Sequence, residues 1–187
     1  MKRTIIILLV VLLALGGYFY FSTRPKPRVE EERVRAWLIN EETLQRIEIS
    51  LPQERKSQAF IRETKASPDH EPEVSWYFDD GKKSAIDKNR WGGMTLLLRG
   101  PGVERVIAEN ATEEKLAEFG MTRPLMKITL AQEDGYTLTI TVGDKTPDQH
   151  AFYVQVPGTT NVATVDITWY QVVERLVKEP PYAEPQG

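Results

Sequence analysis

The stretch "ATVDITWYQVVERLV" (residues 163–177) predicts the end of a strand followed directly by an amphipathic helix. Asp166 stands at the junction, and its carboxylate is a preferred acceptor for the free backbone N–H groups of a first helical turn. Behind it, Trp169, Val172, Val173 and Leu176 recur at the spacing of one helical face. Two prolines at 180 and 181 end the helix. The sheet that this strand belongs to must therefore receive the apolar face of the helix.

A similar arrangement occurs about eighty residues earlier, in "SAIDKNRWGGMTLLL" (84–98). Asp87 is again a plausible N-cap, and Trp91, Met94 and Leu98 share one helical face. The glycines at 92 and 93 cost about 1 kcal/mol each in a helix, which indicates close packing or a local break there. Aligning the two stretches pairs Asp87 with Asp166, Trp91 with Tyr170, Met94 with Val173 and Leu98 with Val177. This correspondence predicts an internal duplication.

Alternating apolar and polar residues predict strands ahead of each helix. The first set is "RIEIS" (46–50), "QAFIRE" (58–63), "EVSWYF" (73–78) and the short "SAID"; the second is "LMKITLA" (125–131), "YTLTITVG" (136–143), "AFYVQVPG" (151–158) and "NVATVD" (161–166). The predicted fold class is α+β, with an N-terminal transmembrane helix followed by a duplicated strand-rich unit of about four strands and one helix. The two units would pack together as one globular domain and bury both helix stripes.

The predicted organisation has six segments. They are a transmembrane anchor at 1–21, a Pro-rich and charged linker at 22–35, a first repeat at 36–102, a connecting strand and short helix at 103–124, a second repeat at 125–179, and a tail at 180–187. Within the connection, Asn110 and Glu113 have the spacing of a capping box, so the sequence "NAT" is interpreted as a helix start rather than a glycosylation site.

The N-terminus carries "TIIILLVVLLALGGYFYF" (4–21), eighteen residues without a charge. A helix of that length spans about 27 Å, close to the hydrocarbon thickness of a bilayer. Tyr18, Phe19, Tyr20 and Phe21 are typical of a membrane interface. We therefore expect a single-pass protein of the cell membrane, with a cytoplasmic N-terminus and an extracytoplasmic domain. A cleaved signal peptide is the alternative.

Composition excludes several kinds of chemistry. The chain has no cysteine, so it has no disulfide, thiolate metal site or cysteine nucleophile. Its net charge of −3 argues against nucleic acid as a partner. His150 with Asp144 and Asp148 could be imagined as a metal site, but "GDKTPDQH" is explained as a turn, as are Asp79-Asp80 and the surroundings of His70. No catalytic, cofactor or metal residue is predicted.

The aromatic residues allow two interpretations. Trp37, Trp76, Trp91 and Trp169 occupy strand or helix positions that face the predicted core. Core packing explains them, whereas the functional alternative is that Trp169, beside Tyr170, lies on an exposed patch that contacts a partner.

The region 118–166 resembles family 4340 of the bacterial domains of unknown function. The residues that carry the resemblance are Phe119-Gly120-Met121 with Pro124, Asp134-Gly135, Thr139 to Thr146, Tyr153 with Gly158, and Val162 to Val165. The upstream strands and Ala85-Ile86-Asp87 fit the first half of the family pattern, so that the likeness spans nearly all of 36–178. The resemblance implies a membrane-anchored envelope domain, with relatives in ABC-type export or gliding systems, and it implies no catalytic residue.

These observations lead to three functional hypotheses. The first is a non-enzymatic accessory or scaffold subunit that docks on a larger membrane complex, such as an ABC-type transporter, beside the bilayer. The second is a module that binds an envelope ligand or peptide through an exposed sheet edge. The third, a hydrolase, requires His150 to meet two buried carboxylates.

Overall fold

The computed structural model describes residues 37–65, 73–101, 103 and 105–183. Eight strands and four helices lie within these residues. The strands are β1 (Leu44–Leu51), β2 (Lys56–Lys65), β3 (Glu73–Phe78), β4 (Arg105–Ala108), β5 (Met126–Gln132), β6 (Thr137–Lys145), β7 (Ala151–Gln155) and β8 (Val162–Asp166). The helices are α1 (Lys88–Trp91), α2 (Met94–Leu98), α3 (Glu113–Glu118) and α4 (Ile167–Lys178).

All eight strands form one sheet in the order β3-β2-β1-β5-β6-β7-β8-β4, and every neighbouring pair is antiparallel. The pair β1–β5 joins the first three strands to the later ones. In it, Ile47 lies opposite Leu130 and Ile49 opposite Ile128, and all four side chains are fully buried. The other neighbouring pairs are hairpins, apart from β4–β8 at one edge, so the β1–β5 pair is the long-range contact that joins the two groups of strands.

One face of the sheet is apolar and the other is polar, as the alternation of residues dictates. On β6, for example, Leu138, Ile140 and Val142 are buried, while Thr137 and Thr139, which alternate with them, are exposed. Helices α1, α2 and α4 cover the apolar face, whereas α3 buries none of its residues. Helix α4 contacts β1 and β2 as well as β7 and β8, so the sheet curves around it.

Tryptophan side chains connect the helices to each other beneath this face. The indole N–H of Trp169 donates to the carbonyl oxygen of Leu97 at 3.1 Å, and that of Trp37 donates to the carbonyl oxygen of Leu98 at 3.1 Å. The two rings also meet edge to face, with centroids 5.9 Å apart. These contacts hold α2 against α4 even though α2 has only five residues.

The prediction of a duplicated unit of four strands and one helix is wrong. The chain builds a single eight-stranded sheet, and its two halves join edge to edge through β1–β5 instead of packing face to face. The first half contributes three strands and a helical segment broken at Gly93, whose φ is +79°, whereas the second has four strands and one continuous helix of 12 residues. Four side chains that were expected to make apolar contacts are nevertheless buried, namely Met94, Leu98, Val173 and Val177.

The expected transmembrane helix also requires correction. Within the part of the chain that the structure describes, no helix has the length and apolar character to cross a bilayer. The single-pass assignment, and the location at the cell membrane that was inferred from it, therefore have no support in the described residues. The predicted anchor at 1–21, with its interface residues Tyr18, Phe19, Tyr20 and Phe21, and the linker at 22–35 fall outside the described residues.

Two of the three predicted helix starts are confirmed. The Asp87 carboxylate accepts from the N–H of Asn89 at 2.9 Å, and the Asp166 carboxylate accepts from the N–H of Thr168 at 2.6 Å. The third prediction, Asn110 as a cap, is wrong because Thr112 caps α3 by accepting from the N–H of Lys115. Asn110 instead takes a left-handed φ of +50° and donates its N–H to the Asn161 side chain.

Truncating Leu98 tests the packing of α2. Leu98 is fully buried, so Leu98→Ala removes buried methyl groups and leaves a cavity, with an expected loss of about 2–5 kcal/mol in unfolding free energy. Leu96 lies two residues away on the same helix and is 60% exposed, so Leu96→Ala is the matched control, with an expected change within about 0.5 kcal/mol. Urea titration of both variants measures the difference, and equal losses would contradict this packing.

Removing the Asp166 cap tests the junction of β8 and α4. We expect Asp166→Ala to cost about 0.5–2 kcal/mol at neutral pH. The hydrogen bond from Thr168 lowers the pKa of Asp166 below its ordinary 3.8, so the stabilising effect of the carboxylate is present above that value. It is lost as the pH falls through the folded-state pKa. The stability gap between the wild type and Asp166→Ala should therefore be constant from pH 6 to 8 and shrink below about pH 4.

Asp166→Asn is the control for this experiment, because its uncharged amide oxygen still caps the helix. If the stability difference between the wild type and Asp166→Ala widened on acidification, the assignment of Asp166 as the cap of α4 would be refuted.

Candidate functional site

The two edges of the sheet differ in how well they can accept another strand. At one edge, β4 has four residues, and its register with β8 shifts between Val106 and Ala108. A short, irregular edge is a poor template for strand addition. At the other edge, β3 has six residues in an unbroken register with β2, from Lys65↔Glu73 to Phe60↔Phe78.

The outer side of β3 is covered over only part of its length. Residues 84–86 run beside its C-terminal end, where Tyr77 pairs with Ala85 and the Phe78 N–H donates to the Ser84 carbonyl oxygen at 3.0 Å. Ile86 pairs instead with Tyr182, and the chain then enters α1 at Asp87. Among the described residues, no strand lies against residues 73–75 on this side.

Backbone groups on this stretch point outward in a fixed alternation. The N–H of Phe78 points away from β2 to Ser84, and the N–H of Asp79 points inward to Ala59. Because antiparallel strands direct their backbone groups to opposite sides at successive residues, the N–H groups of Trp76 and Val74 also point outward. Within the described ranges, neither of these N–H groups has a hydrogen-bond acceptor.

A groove of about 340 Å³ opens beside this free edge, on the face that the helices cover. Its walls include Val74, Trp76, Ile86 and Trp91. The rings of Trp76 and Trp91 lie 5.5 Å apart, and Trp91 in turn lies 4.7 Å from the ring of the fully buried Phe60. The groove therefore has an aromatic wall that is continuous with the core, and Ser75 and charged side chains complete its lining.

The groove exists because the segment before α1 is short. Before α4, β8 pairs with β7 over the whole stretch from Gln155↔Val162 to Ala151↔Asp166. Before α1, the chain turns away after Ala85, since the Asp87 N–H donates to the carbonyl oxygen of Pro181 at 2.9 Å. No other described strand takes the place that a longer strand would occupy along residues 73–75.

Charged side chains form the rim of the groove. Lys88 Nζ lies 3.9 Å from the Glu73 carboxylate, and Lys65 lies opposite Glu73 in the β2–β3 register. The side chains of Lys88 and Glu73 are 84% and 67% exposed, so this ion pair contributes little to stability. Two ammonium groups against one carboxylate leave the rim with a positive excess.

The turn after β3 explains the adjacent carboxylates. Asp80 accepts from the Ser84 hydroxyl at 2.5 Å and from the N–H groups of Lys82 and Ser84. The Ser84 hydroxyl, followed by these N–H groups, lowers the pKa of Asp80. Asp79 points elsewhere and accepts from Arg46 at 2.8 Å. The pair is therefore a turn and an ion pair, and it positions residues 84–86 beside β3.

The other sequence candidates do not assemble into a site. Asp148 accepts from the Thr146 hydroxyl at 2.6 Å and from the His150 N–H, and the hydroxyl is the main reason that its pKa is lowered. Among the described residues, no group of His, Asp and Glu is arranged to hold a metal ion. His70 lies outside the described residues.

Trp169 and Tyr170 do not form an exposed patch, because both are buried, with 5% and 7% of their surfaces accessible. The ring of Tyr170 stacks on Phe152 at 3.9 Å, and burial raises the pKa of its hydroxyl. Both residues therefore belong to the packed core, as the interpretation of the aromatic residues by core packing states.

Sequence reasoning missed the edge groove, although it named Trp76 and Trp91. The available signal was the difference in length between "SAID" and "NVATVD" ahead of the two helices. A shorter strand at the same place in a similar arrangement leaves its neighbour partly uncovered.

The family model described as "Domain of unknown function (DUF4340)" matches residues 76–175, more than half of the 187 residues. The chain belongs to this family. The prediction of membership from the order of the strand and turn motifs is thereby confirmed. No curated protein and no solved structure matches the chain significantly.

The structure gives a physical reason for part of the sequence pattern that identified the family. Phe119-Gly120-Met121 follows α3 and docks on β6, where the Asp144 N–H donates to the Phe119 carbonyl oxygen at 2.9 Å. A Cβ atom at Gly143 would lie 2.0 Å from that oxygen, and Gly120 has a left-handed φ of +78°. Both positions therefore require glycine.

Hydrogen exchange tests the free edge. The amides of Ser75 and Tyr77 point into the ladder with β2, whereas those of Val74 and Trp76 point outward. We expect the outward amides to exchange faster than the inward ones, in an alternating pattern that residue-resolved NMR can measure. Equal protection of Val74 and Ser75 would show that another part of the chain covers this edge.

Proposed function

We propose that this domain is a non-catalytic binding module that holds an extended segment of a partner protein along the free edge of β3. The observation that supports the proposal is that the outward N–H groups of Val74 and Trp76, which have no acceptor among the described residues, lie beside a groove with an aromatic wall. Strand addition to a sheet edge combines these two elements, since the main chain supplies affinity and a side-chain pocket supplies specificity.

The size of the free edge limits the strength of the interaction. Within the part of β3 and its neighbours that the structure describes, residues 73–75 and the outward N–H of Trp76 are open to a new strand. A partner segment must also lose conformational freedom on binding. We therefore expect weak binding by an isolated peptide. Such binding suits an accessory subunit that meets its partner within a larger assembly, where the local concentration is high.

The polar groups at the groove favour binding over catalysis. The ionisable side chains at the rim are largely exposed to water, as the values for Lys88 and Glu73 show. A general acid or base needs a positioned partner and a tuned environment. His150, the histidine on which the hydrolase hypothesis depended, lies on the turn ahead of β7 rather than at β3.

Peptide titration followed by NMR tests the proposal. The probe is a library of blocked heptapeptides, Ser-Thr-Val-X-Val-Thr-Ser, in which X is varied. We expect some members to shift the amide signals of Val74 and Trp76 and to slow their exchange. Val74→Pro should abolish these effects because it removes an outward donor, and an outward N–H on an edge strand can be replaced without breaking the ladder.

Val74→Thr is the matched control, since it keeps the N–H and a branched side chain. Thermal unfolding should show that both variants fold. Unchanged peptide binding by Val74→Pro, or signal shifts confined to other strands, would refute strand addition at β3. Concentration-dependent self-association in sedimentation experiments would assign the edge to a second copy of the chain instead.

A further inference from the structure

We infer that the partner segment runs antiparallel to β3, places an aromatic side chain opposite Val74, and carries an acidic residue within two positions of it. This inference rests on the proposed function and adds the direction, register and chemistry of the ligand.

The short segment beside β3 sets the direction and the register. Residues 84–86 already run antiparallel to β3, with Ala85 opposite Tyr77. A segment that continues this line past Ile86 lies opposite residues 75, 74 and 73 in turn. Among these, Val74 directs both its N–H and its carbonyl outward, so it exchanges two hydrogen bonds with the residue that faces it.

The face on which Val74 lies determines where the side chain of that facing residue goes. Val74, Trp76 and Phe78 alternate along β3 and therefore share one face, and Phe78 is fully buried in the core on that face. Residues directly opposite each other in a sheet point to the same face. The side chain opposite Val74 therefore enters the groove on the side where Trp76 and Trp91 line it.

The shape and chemistry of the groove select an aromatic side chain. Its volume of about 340 Å³ is at the small end of ligand pockets, which suits one large side chain. One of its walls is formed by the indole rings of Trp76 and Trp91, which contact each other at 5.5 Å and an angle of 40°. An aromatic ring placed against them buries a large apolar area and gains edge-to-face contacts that an aliphatic side chain lacks.

The rim selects the charge of the flanking residues. Lys65 and Lys88 both approach Glu73, which can neutralise one of them. The remaining positive charge lies at the mouth of the groove, although the chain as a whole carries a net charge of −3. A carboxylate close to the aromatic residue would complement it.

The experiment compares blocked heptapeptides with Phe, Trp, Leu or Ala at the centre, and Phe peptides with Glu or Lys in place of the threonines. NMR titration of the full chain measures each dissociation constant. We expect the aromatic peptides to bind about tenfold tighter than the Ala peptide, and Leu to lie between them. Glu-flanked peptides should bind tighter than Lys-flanked ones, and Lys88→Glu should reverse that order.

Matched variants separate the groove from the rest of the sheet. Trp76→Leu should reduce the preference for Phe over Ala, whereas Tyr136→Leu, at an exposed aromatic residue in the turn between β5 and β6, should not. Lys127→Glu, on an exposed position of β5, is the control for Lys88→Glu. Trp76→Leu and Lys88→Glu both retain the outward N–H of Val74. A loss of preference therefore cannot be attributed to loss of the free edge of β3.

The possible failures are distinguishable. If Ala and Leu peptides bind at β3 as tightly as Phe peptides, the edge is a docking site and the aromatic preference is wrong. If Lys-flanked peptides bind tighter, the charge assignment is wrong. If no peptide perturbs Val74 or Trp76, the proposed function itself fails.

Discussion

The pairing of β1 with β5 is the constraint on which the rest of this structure depends. It brings together residues about eighty positions apart and closes the two hairpin groups into one sheet. The loop that it closes carries an entropic cost that grows only slowly with length. Burial of Ile47, Ile49, Ile128 and Leu130 offsets that cost, since each removes a whole aliphatic side chain from water. Without this pair, each group of strands would expose its apolar face and a further edge.

Local patterns in the sequence predict much of the secondary structure but not its assembly. The alternation in "YTLTITVG" identifies β6, and Asp87 and Asp166 mark two helix starts, because both signals depend on neighbouring residues. The cap of α3 was predicted at Asn110, whereas the structure has it at Thr112. The error arose because both residue types can cap a helix and the two residues lie two positions apart. The face-to-face packing of two units was a wrong inference from a real similarity, since the similarity does not reveal which strands pair across the halves. Register at long range is decided by burial in the whole sheet.

The candidate site was harder to predict because a strand has an open edge only when no other strand pairs with it, and its own residues do not determine this. "EVSWYF" identifies β3 and its tryptophan, yet the same residues would fit a central strand. What makes β3 an edge is that residues 84–86 leave it early and that the later strands attach on the far side of β1. Trp91 was interpreted as a core residue, and it is one, at 9% exposure. Its second role, as part of a wall of the groove, follows only from its contact with Trp76 at the sheet edge.

The C-terminal end of the described chain controls the size of this groove. Pro181 accepts from the Asp87 N–H, Tyr182 pairs with Ile86 and stacks on Phe78 at 4.0 Å, and Ala183 donates to the carbonyl oxygen of Ala85 at 3.0 Å. These contacts occupy the outer side of residues 85–87 and draw them away from β3. The segment therefore cannot slide along β3 to cover Val74 unless its backbone contacts with residues 181–183 and the stacking of Tyr182 on Phe78 are broken. The open stretch is thus maintained by specific contacts of the folded chain, which is why it can serve a partner instead of being filled by the chain's own residues 84–86.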